Sequence, residues 1–124
     1  MAKRKILQGE IYICELGENI GSEQNGERPC LIVQNNILNE TSDVTIVLPI
    51  TSRLKKEMPT HYKLRSEDYP FLIGRNTVLC ECIRCISKKR IGKLIGAIEE
   101  KDLNNILKVK EYAYYEKKED NWHG

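Results

Sequence analysis

The sequence predicts a mainly β domain of α+β class: a small, strongly bent barrel of short strands with one C-terminal helix packed on it. Three observations carry this. Short runs rich in Ile, Val, Tyr and Thr recur between turn residues from position 9 to position 98. After Glu99 the pattern changes once, from strand-like runs to a helical stripe. No repeat, linker or low-complexity run divides the chain. Many short strands need closure or a covering helix to hide their edges, and a barrel with a terminal helix supplies both.

The first strand is expected in 9-GEIYICEL-16, which is rich in Ile and Tyr. The second is 28-RPCLIVQN-35. Pro29 has no N–H for a ladder, so it belongs at the strand's first residues or on an edge. The third, 43-DVTIVLPIT-51, carries Pro49 near its end. A basic loop, 53-RLKKEMP-59, leads to a short extended piece, 60-THYKLR-65. The run 76-NTVLCECIRCIS-87 is β-branched and cysteine-rich, and a basic turn, 88-KKRIG-92, separates it from a final strand, 93-KLIGAI-98. Over 99–115 the apolar residues Leu103, Ile106, Leu107 and Tyr114 form the helical stripe. Glu99, Glu100 and Asp102 near its start and Lys117 and Lys118 near its end suit the helix dipole. Residues 1–6 and 117–124 are expected to fray.

A chain of 124 residues fits one domain spanning 1–124. At that size it buries roughly 65% of the surface its unfolded form exposes, enough for a core. A net charge of +2 argues against bulk electrostatic binding of duplex DNA but leaves room for a local basic groove. The basic start, 1-MAKRK-5, precedes no long apolar run, so it does not read as a secretory signal. No segment approaches a membrane span, and the cytoplasm is the expected compartment. The odd count of five cysteines then points to free thiols in a reducing cell.

Four constellations invite chemistry. The loop before the second strand holds Gly21, Ser22, Glu23, Gln24 and Gly26 and ends at Arg28, whose planar donors match phosphate oxygens. Its bland alternative is a solvated hairpin loop. In 49-PITSR-53, the hydroxyls of Thr51 and Ser52 precede Arg53 and suit a phosphate; the alternative is hydroxyls satisfying local backbone. The run 80-CECIRC-85 has thiols that suit zinc or an iron–sulfur cluster, yet no histidine or fourth cysteine lies close in sequence, so no metal is expected. In a continuous strand Cys80 and Cys82 share one face and Cys85 takes the other, unless the chain bulges. His61 has the ordinary pKa of a general base, but a strand histidine satisfied by a neighbour is the commoner case. His123 lies in a tail without positioning. No Ser/His/Asp arrangement, P-loop, dinucleotide fingerprint, zinc-protease motif or RNA-recognition pattern occurs.

The blocks GEIYICELG…GSEQNGERPCLIVQNN, VLPITS, MPTHY and LCECIRCISKKRI stand in the order and spacing of the MazF/PemK/Kid family of toxin endoribonucleases, and with the terminal helix they cover nearly the whole chain. G-S-E-x-x-G-x-R-P is the most specific of them. This resemblance implies an SH3-like β-barrel of antiparallel strands, usually paired into a homodimer. It implies metal-independent, cofactor-free cleavage of single-stranded RNA at a short sequence, leaving 2′,3′-cyclic phosphate and 5′-hydroxyl ends. It also implies an antitoxin partner whose acidic tail fills the RNA groove. Carried over by position, the catalytic residues fall on Arg28 and Thr51, with Glu23 as a further catalytic candidate. RNA contacts fall on Ser22, Gln24, Ser52, Arg53, Glu81 and Arg84. Lys55, Lys56 and 88-KKR-90 are further candidates to line the groove.

Two departures stand out. The family's usual Glu-Gln-Ile-Arg-Thr reads Glu81-Cys82-Ile83-Arg84-Cys85, and the following Asp is replaced by Ser87. Cys82 lacks the amide that could read a base edge, so the cleavage sequence is expected to differ. Two alternatives are a gyrase-poisoning toxin resembling CcdB and a catalytically inactive relative that still binds RNA or antitoxin. The intact Arg28 and Thr51 favour the nuclease.

Overall fold

Strand β3 (Val44–Thr51) organises the chain. The computed structural model describes residues 5–17, 26–53, 56, 58–73 and 76–113. Along one edge β3 pairs with β2 (Glu27–Ile32), from Cys30↔Pro49 to Ile32↔Val47. Beyond β2 come β1 (Glu10–Glu15) and then β7 (Ile91–Ala97), each antiparallel to its neighbour. The other edge is lined by β6 (Arg84–Ser87) and then β5 (Asn76–Leu79), with β4 (His61–Leu64) outside β5. The sheet order is therefore β4-β5-β3-β2-β1-β7, with β6 also on β3.

The run 76–87 is one lane along β3 interrupted in the middle. Between Val47↔Arg84 and Ile50↔Val78, β3 advances three residues and the lane six, so three extra residues must leave the ladder. They do so in the turn around Cys80–Ile83, which is closed by a bond from the Cys82 N–H to the Leu79 carbonyl at 3.1 Å. The expected single run is thus two strands. The excursion also separates the thiols: Cys80 is buried, Cys82 half-buried and Cys85 exposed.

The sheet buries both faces. On one, Ile11, Leu31, Leu48, Ile50, Leu64 and Val78 pack with Ile106 of helix α2 (Glu100–Tyr112). On the other, Tyr12, Cys14, Cys30, Ile32, Val47, Ile86 and Ile91 pack together with Ile6. The second cluster draws on β1, β2, β3, β6 and β7, which form a ring. The ring closes through the chain, at a 3₁₀ turn over Lys88–Arg90 that joins β6 to β7, and no ladder joins those two strands. The result is a barrel-like antiparallel sheet with a C-terminal helix, as expected. Ile6 belongs to the core, so the N-terminal segment is anchored by residue 6, inside the stretch expected to fray.

Helix α1 (Asn36–Thr41) is an addition that sequence reading did not anticipate. The Asn35 side chain caps it by accepting the Leu38 N–H at 2.9 Å. Its buried Asn39 is a hub: its amide donates to the Gln34 carbonyl at 2.8 Å, and its side-chain oxygen accepts from Gln34 at 3.0 Å and Thr45 at 2.7 Å. Gln34, Asn39 and Thr45, the buried polar side chains of that cluster, are thus bonded to one another, as a low-dielectric interior favours.

Helix α2 is fastened by its first turn. The Asp102 carboxylate accepts the Tyr62 hydroxyl at 2.6 Å on one oxygen and the Tyr69 hydroxyl on the other. The Tyr69 oxygen in turn accepts the Glu99 N–H at 3.0 Å. Burial opposes the charge on Asp102, but the two phenol donors, aided by Lys101 and Arg65, hold its carboxyl below the usual range. Burial and the bond to Asp102 push both phenols up.

Candidate active site

Arg28 and Thr51 stand at the same end of the β2–β3 pairing. The β2–β3 ladder is paired as far as Cys30↔Pro49. Each lies two residues beyond that last pair, so the same register, if continued, would bring Arg28 opposite Thr51. Period-two alternation puts both side chains on the face of Cys30, Ile32 and Val47, at one mouth of the curled sheet. Arg84, paired with Val47 across the other edge of β3, shares that face. Both arginines bear on the Cys30 thiol and pull its pKa down. Its hydrogen bond with Cys14 and its burial nonetheless hold the thiol far above its ordinary value. Cys30 is thus a buried, protonated thiol on the same face, hydrogen-bonded to the Arg28 carbonyl.

On the β5 side, Thr51 pairs with Thr77, which pairs with Lys63. His61 and Leu79 form the next pair on the same face. Arg28, Thr51, Thr77, Lys63 and His61 therefore line one continuous strip of sheet, with Arg84 beside it.

Thr51 is buried, and its hydroxyl closes a local turn. It accepts the Arg53 N–H at 3.1 Å and donates to the Arg53 carbonyl at 3.0 Å. This is the local backbone satisfaction anticipated as the bland alternative for that hydroxyl, and it fixes the oxygen's position. Ser52 and Arg53 are exposed immediately beyond it.

The strip ends at a clamped carboxylate. Glu81 lies in the excursion between β5 and β6. One of its oxygens accepts the Thr60 hydroxyl at 2.9 Å and the other meets His61 Nε2 at 3.0 Å. The Met58 N–H donates to His61 Nδ1 at 3.2 Å, so Nε2 carries the hydrogen and donates to Glu81. The segment 58-MPTH-61 is a β-turn, with the His61 N–H bonded to the Met58 carbonyl at 3.0 Å and Pro59 at the position where its fixed φ is favoured. His61 is thus a strand histidine satisfied by a neighbour. Thr60 was not singled out in the sequence, although it stands inside the MPTHY block.

Other expected groove residues lie elsewhere. The 88-KKR-90 turn sits at the far end of β3, where Ser87 pairs with Val44. That is up to about 23 Å of extended strand from Thr51. Lys88 is occupied there, its ammonium on the Asn39 carbonyl and its N–H on the Asp43 carbonyl. Lys56 is exposed. Ser22, Glu23, Gln24, Gly21 and Lys55 lie outside the described residues. Among the described residues no group of three or more His, Cys, Asp or Glu side chains could hold a metal ion. No helix among them is long and apolar enough to cross a membrane.

Comparison with known proteins agrees with this architecture. Residues 7–109 match the model of the PemK-like, MazF-like toxin family of type II toxin–antitoxin systems. Endoribonuclease EndoA of Bacillus subtilis is 33% identical over 102 residues, covering 82% of this chain and 87% of its own. A Mycobacterial endoribonuclease solved with its cognate antitoxin superposes with a TM-score of 0.69 at 25% identity, over 87% of this chain and 93% of that one. MazF of Deinococcus radiodurans shares the fold with a TM-score of 0.75 at 20% identity, over 89% of this chain and 96% of that one. A curled antiparallel sheet with a C-terminal helix, matched by that family model over most of the chain, defines a small β-barrel toxin. The chain belongs to the PemK/MazF family of type II toxin–antitoxin toxins.

Proposed function

We propose that the protein is a sequence-selective endoribonuclease that cuts single-stranded RNA without a metal, leaving 2′,3′-cyclic phosphate and 5′-hydroxyl ends. The observation that supports this reading is that Arg28 and Thr51 each lie two residues past the last β2–β3 pair, Cys30↔Pro49, at one end of the ladder and on one face by strand alternation. The ribose 2′-hydroxyl attacks the adjacent phosphorus, the bond to the 5′-oxygen breaks, and that oxygen takes up a proton. Charge grows on the non-bridging phosphate oxygens during this step, where fixed donors help most. The Arg28 guanidinium supplies such donors. The Thr51 hydroxyl, anchored on the Arg53 backbone, supplies another by redirecting its hydrogen from the Arg53 carbonyl to the phosphate. Arginine stays protonated and is a poor base. Glu23, in the loop before β2, is our candidate for taking the 2′-hydroxyl proton. Ser22, Gln24, Ser52, Arg53, Glu81 and Arg84 are proposed to hold the RNA. The same face is proposed to receive an antitoxin, the Mycobacterial relative having been solved in complex with its own, and the active form is proposed to be a homodimer in the cytoplasm.

The test is to incubate purified protein with a long RNA in EDTA and map the new ends. Cyclic-phosphate ends at one recurring sequence, lost in Arg28→Ala and Thr51→Ala, support the reading. RNA binding without cleavage would instead identify an inactive relative. Slowed gyrase with intact RNA would identify a toxin acting as CcdB does.

A further inference from the structure

We propose that Thr60 and His61 are positioning residues that fix Glu81 as a pre-oriented acceptor for an RNA base edge bearing an exocyclic amino group. The inference rests on the endoribonuclease reading and goes beyond it by assigning work to two residues that do not touch the phosphate.

The geometry is that of a built acceptor. A glutamate in a turn would ordinarily sample several rotamers, and each immobilised side chain costs binding free energy. Here the ordering is done before any ligand arrives. Thr60 and His61 each donate to a different carboxylate oxygen, at 2.9 and 3.0 Å. The donors are themselves fixed. The Thr60 carbonyl accepts the Cys80 N–H at 3.0 Å, and His61 is held at Nδ1 by the Met58 N–H. The His61 side chain is only 7% exposed, whereas that of Glu81 is 28% exposed. The clamp is therefore buried and the clamped group reaches solvent. A carboxylate offers about four lone-pair sites, and the clamp uses two. The remaining sites accept but cannot donate, so they suit an amino group, as when Glu accepts from cytosine N4. Uracil offers a carbonyl at the same place and would face the carboxylate with like partial charge. Glu81 also shares its wall with half-buried Cys82, where no side-chain amide competes for the base edge.

The alternative is that the bonds merely tie the β4 turn to the β5 turn. The two roles separate in cleavage kinetics. We would map cleavage and measure kcat and KM on short RNAs that differ by cytosine or adenine against uracil at each position around the cut. His61→Phe fills the space without a donor, and Thr60→Val removes the hydroxyl at nearly constant shape. Each is expected to raise KM on the preferred RNA about tenfold, the size of one hydrogen bond to a charged group. Each should leave kcat within about twofold and relax the map at the same position as Glu81→Ala. Adding Glu81→Ala to either variant should change little more. His61→Gln, whose side-chain amide can replace the Nε2 donor, should restore the wild-type map. A cutting wild type whose map and KM survive both His61→Phe and Thr60→Val overturns the inference alone. A wild type that cuts no RNA overturns the endoribonuclease reading and the inference with it.

Discussion

Arg28 and Thr51 are separated by 22 residues of intervening chain, yet two short strands bring them to the same end of the β2–β3 ladder. Pro29 follows Arg28 and Pro49 lies two residues before Thr51, and neither proline has an N–H to offer a ladder. The backbone at this mouth is consequently less committed to pairing than elsewhere in β2 and β3. Losing either side chain should lower the cleavage rate by about 10²–10³ with little loss of Tm, the usual result of removing one donor to a developing oxyanion. Single-turnover rates beside thermal melts would check this. Cys82→Gln should shift the cleavage map more than the rate, because the residue follows Glu81 in the excursion and lies outside the Arg28–Thr51 pair; an unchanged map would remove that idea. The identities of Glu81 and Arg84 were legible in the sequence because they stand in a recognisable block. Thr60 was not, because its role depends on a β-turn and a 21-residue return of the chain that no local pattern encodes.

Among the elements, β4, only four residues long, has work on both faces. His61 turns to Glu81, and its chain neighbour Tyr62 turns to Asp102 on the helix side. Asp102→Ala should cost about 2–3 kcal/mol, since it strips two phenols of a charged acceptor. Because the folded carboxyl titrates below its unfolded value, the unfolded chain binds the proton first on acidification. The stabilisation is therefore complete above about pH 4 and fades as pH falls through the lowered folded value. Urea titrations should show the gap between wild type and Asp102→Ala narrowing below that pH. A second prediction belongs to β7. A Cβ at Gly92 would come within 2.7 Å of the Ile13 carbonyl oxygen, a backbone atom in the irregular β1–β7 ladder. Gly92→Ala should cost about 1–3 kcal/mol, read as a lowered urea midpoint, with β7 loosened at that end.

The same scale shows where pattern reading reaches its limit. Strands with strong β-branched runs were legible, and so was the helix, whose stripe centres on Ile106. Helix α1 was not, because six residues hold too few turns for a periodicity. Its existence depends on a cap at Asn35 and a buried Asn39, both of which look like ordinary loop residues in sequence. The run 76–87 looked continuous because composition does not change where the three extra residues leave the ladder. Only the registers on either side of the break reveal it.

For the whole molecule, the sheet divides its labour between faces. One carries the helix and most of the conventional core, and the other carries the second core cluster together with the proposed site. The closure of the strand ring by a covalent corner, not a ladder, leaves β7 paired on one edge only among the described strands. The proposed homodimer should give a solution mass about twice the 14.4 kDa of one chain by light scattering. A monomeric mass with full activity would dismiss that part of the proposal.

The alternation within β4 limits how the gene can change length. Inserting or deleting one residue in that strand would turn His61 toward the helix and Tyr62 toward the groove, disabling clamp and latch in a single step. The exposed turn at 66–67, just past the strand, carries no such parity. Natural length variation, or an engineered epitope, should be accommodated there and rejected four residues earlier.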